Sequence, residues 1–169
     1  EQSMTQRHGR GPAPLFKNGI LYSEGLHGII AVDAYNGHKR WEYDLPDILK
    51  SFDGDHLMGT SGTGSNYCVS DDSVYVRRDN HCLRIDAGTG ELIAKFTAPQ
   101  TLQGSDGIWG HLAHEDGILF GSLSDPKHVV TYRYRPGGNM KDQLTESQTF
   151  FALDASTGKL LWRYDAEHS

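Results

Sequence analysis

Ala31-Val32-Asp33-Ala34-Tyr35-Asn36-Gly37-His38-Lys39-Arg40-Trp41 contains a five-residue core, Asp-Ala-x-x-Gly, that returns at Asp86 and at Asp154. In each copy an apolar run precedes the aspartate and another follows the glycine, which predicts two strands joined by a tight turn. The glycine suits the turn because it adopts positive φ without steric cost. The aspartate suits it because its carboxylate accepts hydrogen bonds from turn N–H groups. The chain is therefore predicted to repeat one β-hairpin three times.

A second hairpin is predicted before each copy, from alternating apolar residues on both sides of short turns. Each repeat then has four short antiparallel strands, A to D, which is the blade of a β-propeller. The fold class is all-β, with about three blades and an incomplete propeller. The predicted boundaries are a polar N-terminal segment at 1–12 and blades at 13–65, 66–110 and 111–169. The first two blades carry long D–A loops, and the third carries a B–C insertion at about 123–147.

The composition argues against two classes of partner. The 169 residues carry a formal net charge of −6, so there is no overall basic field to attract nucleic acid. No stretch of about 18 apolar residues is present, which predicts no membrane span. The first twelve residues are polar and contain no apolar core of a signal peptide.

The repeat resembles the tryptophan-docking motif of quinoprotein-like (PQQ-type repeat) β-propellers, and more distantly the WD40/YVTN-like repeats. The resemblance covers about residues 13–165, and in the second copy Ala94 stands where the motif has tryptophan. The positions that carry it are Asp33, Gly37, Trp41, Asp86, Gly90, Asp154, Gly158 and Trp162. The family includes quinone-dependent alcohol dehydrogenases and non-enzymatic scaffolds. It implies a periplasmic or extracellular location, and PQQ with calcium as possible cofactors of a full-length parent.

The cysteines bear on the enzymatic branch, which has a vicinal cysteine pair over the quinone. This chain has only Cys68 and Cys82, predicted on strands A and C of one blade. Two strand spacings are about 9 to 10 Å, too far for a disulfide. Both are predicted to be ordinary strand residues.

The loops are predicted to be unequal at the two ends of the blades. The A–B and C–D turns are minimal, whereas the long segments 45–65, 97–110 and 123–147 are connections of the opposite end. Long loops on one side of a rigid scaffold are common binding sites. The ligand-binding candidates near this end are Glu24, His27, Arg78, Trp109 and His111. They either line a ligand channel or are hydrogen-bonded structural groups.

Two candidate segments lie within the long loops. Asp53, Asp55 and His56 precede a glycine-rich run and could bind a cation, with Asp53 and Asp55 as weak metal ligands, or could be a solvated loop. Arg133 and Arg135 alternate with tyrosines and could bind a carboxylate, a phosphate or an aromatic ligand. They could equally belong to an extra hairpin that packs on the blade.

Three functions follow as hypotheses. The first is a non-catalytic propeller segment that acts as a ligand- or partner-binding scaffold. The alternative is a fragment of a PQQ/calcium-dependent quinoprotein dehydrogenase. The third is a carbohydrate-binding propeller, suggested by Trp109 and the tyrosine-rich insertion. Three blades leave two open edges, so the expected partners are the remaining blades of a longer chain or a second copy of the chain.

Overall fold

The computed structural model of the protein describes residues 12–25, 27–46, 48, 67–124 and 147–165. Within these ranges the chain forms twelve β-strands and no helix. The strands are β1 (Leu15–Lys17), β2 (Ile20–Glu24), β3 (Gly28–Asp33), β4 (Lys39–Asp44), β5 (Tyr67–Val69), β6 (Ser73–Arg78), β7 (His81–Asp86), β8 (Leu92–Thr97), β9 (Ile108–Glu115), β10 (Ile118–Ser124), β11 (Ser147–Asp154) and β12 (Leu160–Asp165).

The strands form three four-stranded sheets in which consecutive strands are hydrogen-bonded neighbours. The orders are β1-β2-β3-β4, β5-β6-β7-β8 and β9-β10-β11-β12, and every pair is antiparallel. The predicted all-β class with three propeller blades is thus confirmed. The three blades form part of a propeller and do not close it.

The repeated turn has the predicted hydrogen bonds in all three blades. The Asp33 carboxylate accepts from the N–H groups of Tyr35 and Asn36, and Gly37 closes the turn at φ 72°. The Asp86 and Asp154 carboxylates accept from the corresponding N–H groups of their own turns. Hydroxyl groups of Ser156 and Thr157 also donate to Asp154, so the pKa of this carboxyl falls to about 2.

The apolar core lies between the blades. One cluster joins the first and second sheets and includes Tyr22, Trp41 and Val74. A second cluster joins the second and third sheets and includes Phe96 and Phe151. Because each sheet buries a face against its neighbour, the contacts between sheets hold the blades in series.

The first seam, between the first and second sheets, is built on Trp41. Its indole Nε1 donates to the Ala87 backbone oxygen at 2.9 Å, and the Tyr22 hydroxyl donates to the same oxygen at 3.2 Å. A Cβ at Gly90 would lie 2.7 Å from the Trp41 ring. Glycine at this position therefore allows the indole to lie against the neighbouring turn.

In the second seam, between the second and third sheets, the residue that docks from the fourth strand of the blade is not a tryptophan. Ala94 is the register partner of Arg84, whereas Trp41 is the partner of Ala31, so the large and small residues exchange strands. The Arg84 guanidinium donates to the Ser156 backbone oxygen at 3.3 Å. Phe96 covers Gly158, where a Cβ would collide with the ring. A cross-strand exchange and a shifted aromatic thus replace the missing indole.

Candidate functional site

The β2–β3, β6–β7 and β8–β9 connections lie at one end of the blades, because all strand pairs are antiparallel. The β8–β9 connection is braced internally. The Thr101 N–H donates to the Ser105 backbone oxygen at 2.8 Å, and their hydroxyl oxygens lie 2.7 Å apart. We refer to this side, defined by residues 24–25, 27–28, 77–81 and 98–109, as the loop end.

Three polar residues occupy the same register position near the loop end. Glu24, Arg77 and Ser122 each lie two residues beyond the equivalent aromatic residues of β2, β6 and β10. Glu24 is only 6% exposed and Ser122 is fully buried. The second strands of the blades therefore carry in series a buried carboxylate, a partly buried guanidinium and a buried hydroxyl.

The charges of Glu24 and Arg77 affect each other. Burial lowers the pKa of the Arg77 guanidinium, and the negative charge of Glu24 acts in the opposite direction. Burial, with a smaller contribution from Glu24, raises the pKa of Tyr67 to about 12. The Tyr67 hydroxyl donates to the Ala13 backbone oxygen at 2.7 Å. A cation next to the carboxylate reduces the cost of burying either charge.

Arg77 also connects the second blade to the third. Its Nη1 donates to the Trp109 backbone oxygen at 2.8 Å. Among the described residues, neither the buried Arg77 Nε nor the buried Trp109 Nε1 has a hydrogen-bond acceptor. Both are N–H donors, so the group that satisfies them must offer an oxygen lone pair, such as that of a water molecule or a ligand. This pair of donors is the strongest polar feature of the loop end.

Trp109 is part of the core between the second and third blades. Its ring is fully buried and meets Phe151 edge to face, with centroids 4.8 Å apart. A Cβ at Gly121 would lie 2.5 Å from the Trp109 ring. The indole therefore offers no exposed face on which a sugar or other ligand could stack in this structure.

The other candidates of the described loop end are placed as follows. The Arg78 side chain is exposed and donates to the Pro46 backbone oxygen at 3.3 Å. His27 is exposed in the β2–β3 connection, and its backbone oxygen accepts from Leu45. His111 is exposed on β9. A ligand-binding role for each of them stays a prediction.

Sequence reasoning selected Arg78 and overlooked Arg77. The signal that identifies Arg77 is the alternation of β6, because side chains two residues apart share a face. Tyr75 faces the third blade, where its hydroxyl donates to the Ala155 backbone oxygen at 3.1 Å. Arg77 shares that face, whereas Arg78 points to the other side.

Asp53, Asp55, His56, Arg133 and Arg135 lie outside the described residues. Among the residues that are described, no group of three or more His, Cys, Asp or Glu side chains comes together as a metal site. No helix in the same ranges is long and apolar enough to cross a membrane.

The two cysteines lie where the sequence predicted. Cys68 is on β5 and Cys82 on β7, with β6 between them, and both are free thiols. Burial raises the pKa of Cys68 to about 12 and raises the pKa of Cys82 as well. A thiol reacts as its thiolate, so both thiols are expected to react slowly.

The family model described as PQQ, the β-propeller domain of glucose/ethanol/alcohol dehydrogenases, matches residues 2–169. A quinohemoprotein alcohol dehydrogenase, ADH IIB of Pseudomonas putida, is 28% identical over 153 residues. That match covers 89% of this chain and 19% of the relative.

Solved structures agree on the fold. A europium-containing methanol dehydrogenase superposes with a TM-score of 0.59 at 20% identity, over 90% of this chain and 31% of that one. The quinohemoprotein alcohol dehydrogenase from Comamonas testosteroni gives a TM-score of 0.55 at 20% identity, over 94% of this chain and 21% of that one. The chain thus spans a third or less of the length of these dehydrogenases.

Proposed function

The chain belongs to the PQQ family of β-propeller domains of glucose, ethanol and alcohol dehydrogenases, and from this premise we propose that it is a non-catalytic, three-blade scaffold segment that presents the loop end to a ligand or partner. The observation that carries this proposal is the docking of each blade on the next. Trp41 covers Gly90 in the first seam, and Phe96 covers Gly158 in the second. The packing of these side chains between neighbouring blades therefore sets the position of the loop end.

The described loop end does not match a calcium site. Calcium needs six to eight oxygen ligands, with several carboxylates or carbonyls directed at one point. The buried carboxylate here is Glu24, and the Arg77 guanidinium that acts on it is a cation that would repel a second one. We therefore do not assign calcium to the described residues.

The quinone fits the described residues no better. PQQ is a flat, anionic ring system that needs both cationic donors and an aromatic face for stacking. Arg77 supplies a cation whose buried Nε has no acceptor within the described ranges, but the neighbouring indole of Trp109 is covered on the side of Phe151 and Gly121. PQQ and calcium in a full-length parent, and a periplasmic or extracellular location, remain proposals based on family membership.

A fragment of a quinoprotein dehydrogenase is the second candidate. The match to the dehydrogenase family favours it, and so does the partly buried Arg77 at the loop end. In this case the described blades would support a quinone site completed by other parts of a longer protein. The two candidates differ in whether quinone binding depends on Arg77.

The deciding experiment reconstitutes the full-length parent with PQQ and calcium and assays dye-linked alcohol oxidation. A scaffold gives neither saturable quinone binding nor turnover. Saturable binding with turnover would overturn the scaffold proposal. Arg77→Gln tests the contribution of this segment, and Lys95→Gln is the control, because this exposed cation on β8 is not among the ligand-binding candidates.

A further inference from the structure

The turn between β1 and β2 contains an asparagine–glycine pair that contacts the second blade. Asn18 and Gly19 form this two-residue connection, with φ values of 50° and 77°. The Asn18 Nδ2 donates to the Asp71 Oδ1 at 3.2 Å, and the Lys17 Nζ lies 3.1 Å from the same oxygen. These contacts join the first and second blades at the end opposite the loop end.

An asparagine followed by glycine can be attacked by its own backbone, because glycine has no Cβ to shield its nitrogen. The nitrogen of the glycine bonds to the asparagine Cγ, the Cγ–Nδ2 bond breaks, and ammonia leaves with the proton of that nitrogen. The product is a cyclic succinimide, which water opens to aspartate or to isoaspartate. Water is the co-reactant, and the reaction needs neither an oxidant nor an enzyme.

The chain has two such pairs, and the fold holds them differently. In the β3–β4 turn the Gly37 N–H donates to the Asp33 backbone oxygen at 2.8 Å. The Asn36 Oδ1 in that turn accepts from the His38 N–H at 2.9 Å. Within the described ranges the Gly19 N–H donates to no acceptor. The attacking nitrogen is therefore free in the β1–β2 turn and bonded in the β3–β4 turn.

Water reaches this turn position even where two blades meet. The residue of the second blade equivalent to Asn18 is Asp71, from the register of the two hairpins. The first blade contacts the second at that turn, and the Asp71 side chain is nevertheless 80% exposed. The exposure of the position thus follows from the geometry of a blade and does not require an uncovered first blade.

We propose that Asn18 is a site of spontaneous deamidation and that its modification weakens the first seam. The hydrogen bonds from Lys17 and Asn18 lower the pKa of Asp71, so this group is a carboxylate at neutral pH. An aspartate at position 18 replaces the amide donor with a second negative charge, which repels the first. Isoaspartate also adds a backbone carbon to a two-residue turn that fixes the pairing of Lys17 with Ile20.

The modification acts on the seam that carries Trp41, far along the blades from any ligand of the loop end. Trp41 holds the apolar part of this seam, and the contact between Asn18 and Asp71 holds its polar end. Loss of the polar contact leaves the indole in place and loosens one end of the joint. A deamidated chain is therefore expected to stay folded with a lower stability.

Peptide mapping by mass spectrometry tests the reaction itself, after incubation of the native chain at pH 8. Isoaspartate is identified by its methylation with an isoaspartyl methyltransferase. Asn18 should react roughly 2- to 10-fold faster than Asn36, the factor expected from one hydrogen bond that must first open. In the chain unfolded in guanidinium the two pairs should react at similar rates. An unmodified Asn18 in the native chain, or faster reaction at Asn36, would overturn the proposal.

Urea unfolding of substituted chains tests the effect on the seam. Asn18→Asp should lower the unfolding midpoint, and added salt should reduce the loss by screening the two carboxylates. Asn36→Asp is the matched control and should keep the wild-type midpoint, because its oxygen accepts a hydrogen bond within its own turn. Asp71→Asn combined with Asn18→Asp restores one amide and one carboxylate and should recover the midpoint. An Asn18→Asp chain as stable as the wild type would show that the modification does not act on the seam.

Discussion

The Trp41 indole donates to the Ala87 backbone oxygen at 2.9 Å across two sheets, from a residue of the first blade to the repeated turn of the second. The bond satisfies the buried N–H while the ring covers Gly90 of the same turn. One side chain thus fixes both the distance between the blades and their relative height. The repeat motif joins neighbouring blades. Its glycine allows the turn to form and leaves room for the side chain that docks from the preceding blade.

Gly90 and Gly37 form a natural matched pair for testing this role. Both adopt positive φ, at 77° and 72°, but only at Gly90 would a Cβ collide with an indole. Gly37→Ala should cost about 1 kcal/mol, the usual penalty for a side chain at positive φ. Gly90→Ala should cost roughly 1–3 kcal/mol more, because the ring must move away from the turn. Urea unfolding at low protein concentration measures both, and equal losses would contradict the docking role.

The exchange between Ala94 and Arg84 predicts a coupled pair. Ala94→Trp alone should destabilise the chain, because Arg84 occupies the facing position and bonds to Ser156. Arg84→Ala in the same chain should create the Trp-and-Ala pairing of the first blade and recover part of the loss. A double-mutant cycle should give a coupling energy of about 0.5–3 kcal/mol. Strict additivity would show that the two positions do not share the seam.

The local parts of this fold could be predicted from the sequence. The turns at Asp33, Asp86 and Asp154 were predictable because aspartate and glycine determine a turn within five residues. The replacement of tryptophan by Arg84 and Phe96 was not. It depends on which side chains of β7 and β8 pack across the seam, because the strand register is the same in all three blades, with equivalent shifts after Ala31, Arg84 and Ala152.

The candidate site was predictable only in part. Glu24 was identified, but its neighbour Arg77 was passed over in favour of the exposed Arg78. The sequence left open whether Trp109 lines a ligand channel or is a structural residue, and its ring lies fully inside the core. Whether a side chain faces a cavity or the next blade depends on how the sheets stack, and alternation within one strand does not reveal that.

Phe96 should carry the second seam in the way that Trp41 carries the first. It is 6% exposed and covers Gly158. Phe96→Ala should destabilise the chain by about 3–5 kcal/mol, as for other buried phenylalanines. Ile93→Ala, on the half-exposed part of β8, is the control and should change stability by less than about 0.5 kcal/mol. A loss in the control as large as that of Phe96→Ala would argue that β8 as a whole, rather than this ring, holds the seam.

The thiols offer a simple test of the core between the blades. The pKa of Cys68 is raised to about 12, so at pH 8 only about one molecule in ten thousand carries the thiolate. Cys82 is buried, and its pKa is also raised. Ellman's reagent should therefore react slowly with the native chain and rapidly with both thiols after unfolding in guanidinium. Rapid reaction of one thiol in the native state would show that the second blade opens locally around that cysteine.

The turn aspartates predict a defined loss of stability in acid. Hydrogen bonds from Ser156 and Thr157 lower the pKa of Asp154 to about 2, compared with about 3.9 in an unfolded chain. A lowered pKa in the folded state contributes stability above about pH 4 that disappears as the pH falls to about 2. Asp154→Asn keeps an acceptor but removes the charge, so its melting temperature should lie below the wild-type value at pH 6 and converge with it between pH 4 and pH 2.

Asp106→Asn, on the exposed β8–β9 connection, is the control and should follow the wild type at every pH. A gap between wild type and Asp154→Asn that persisted at pH 2 would mean that the loss of stability does not come from the charge of the carboxylate.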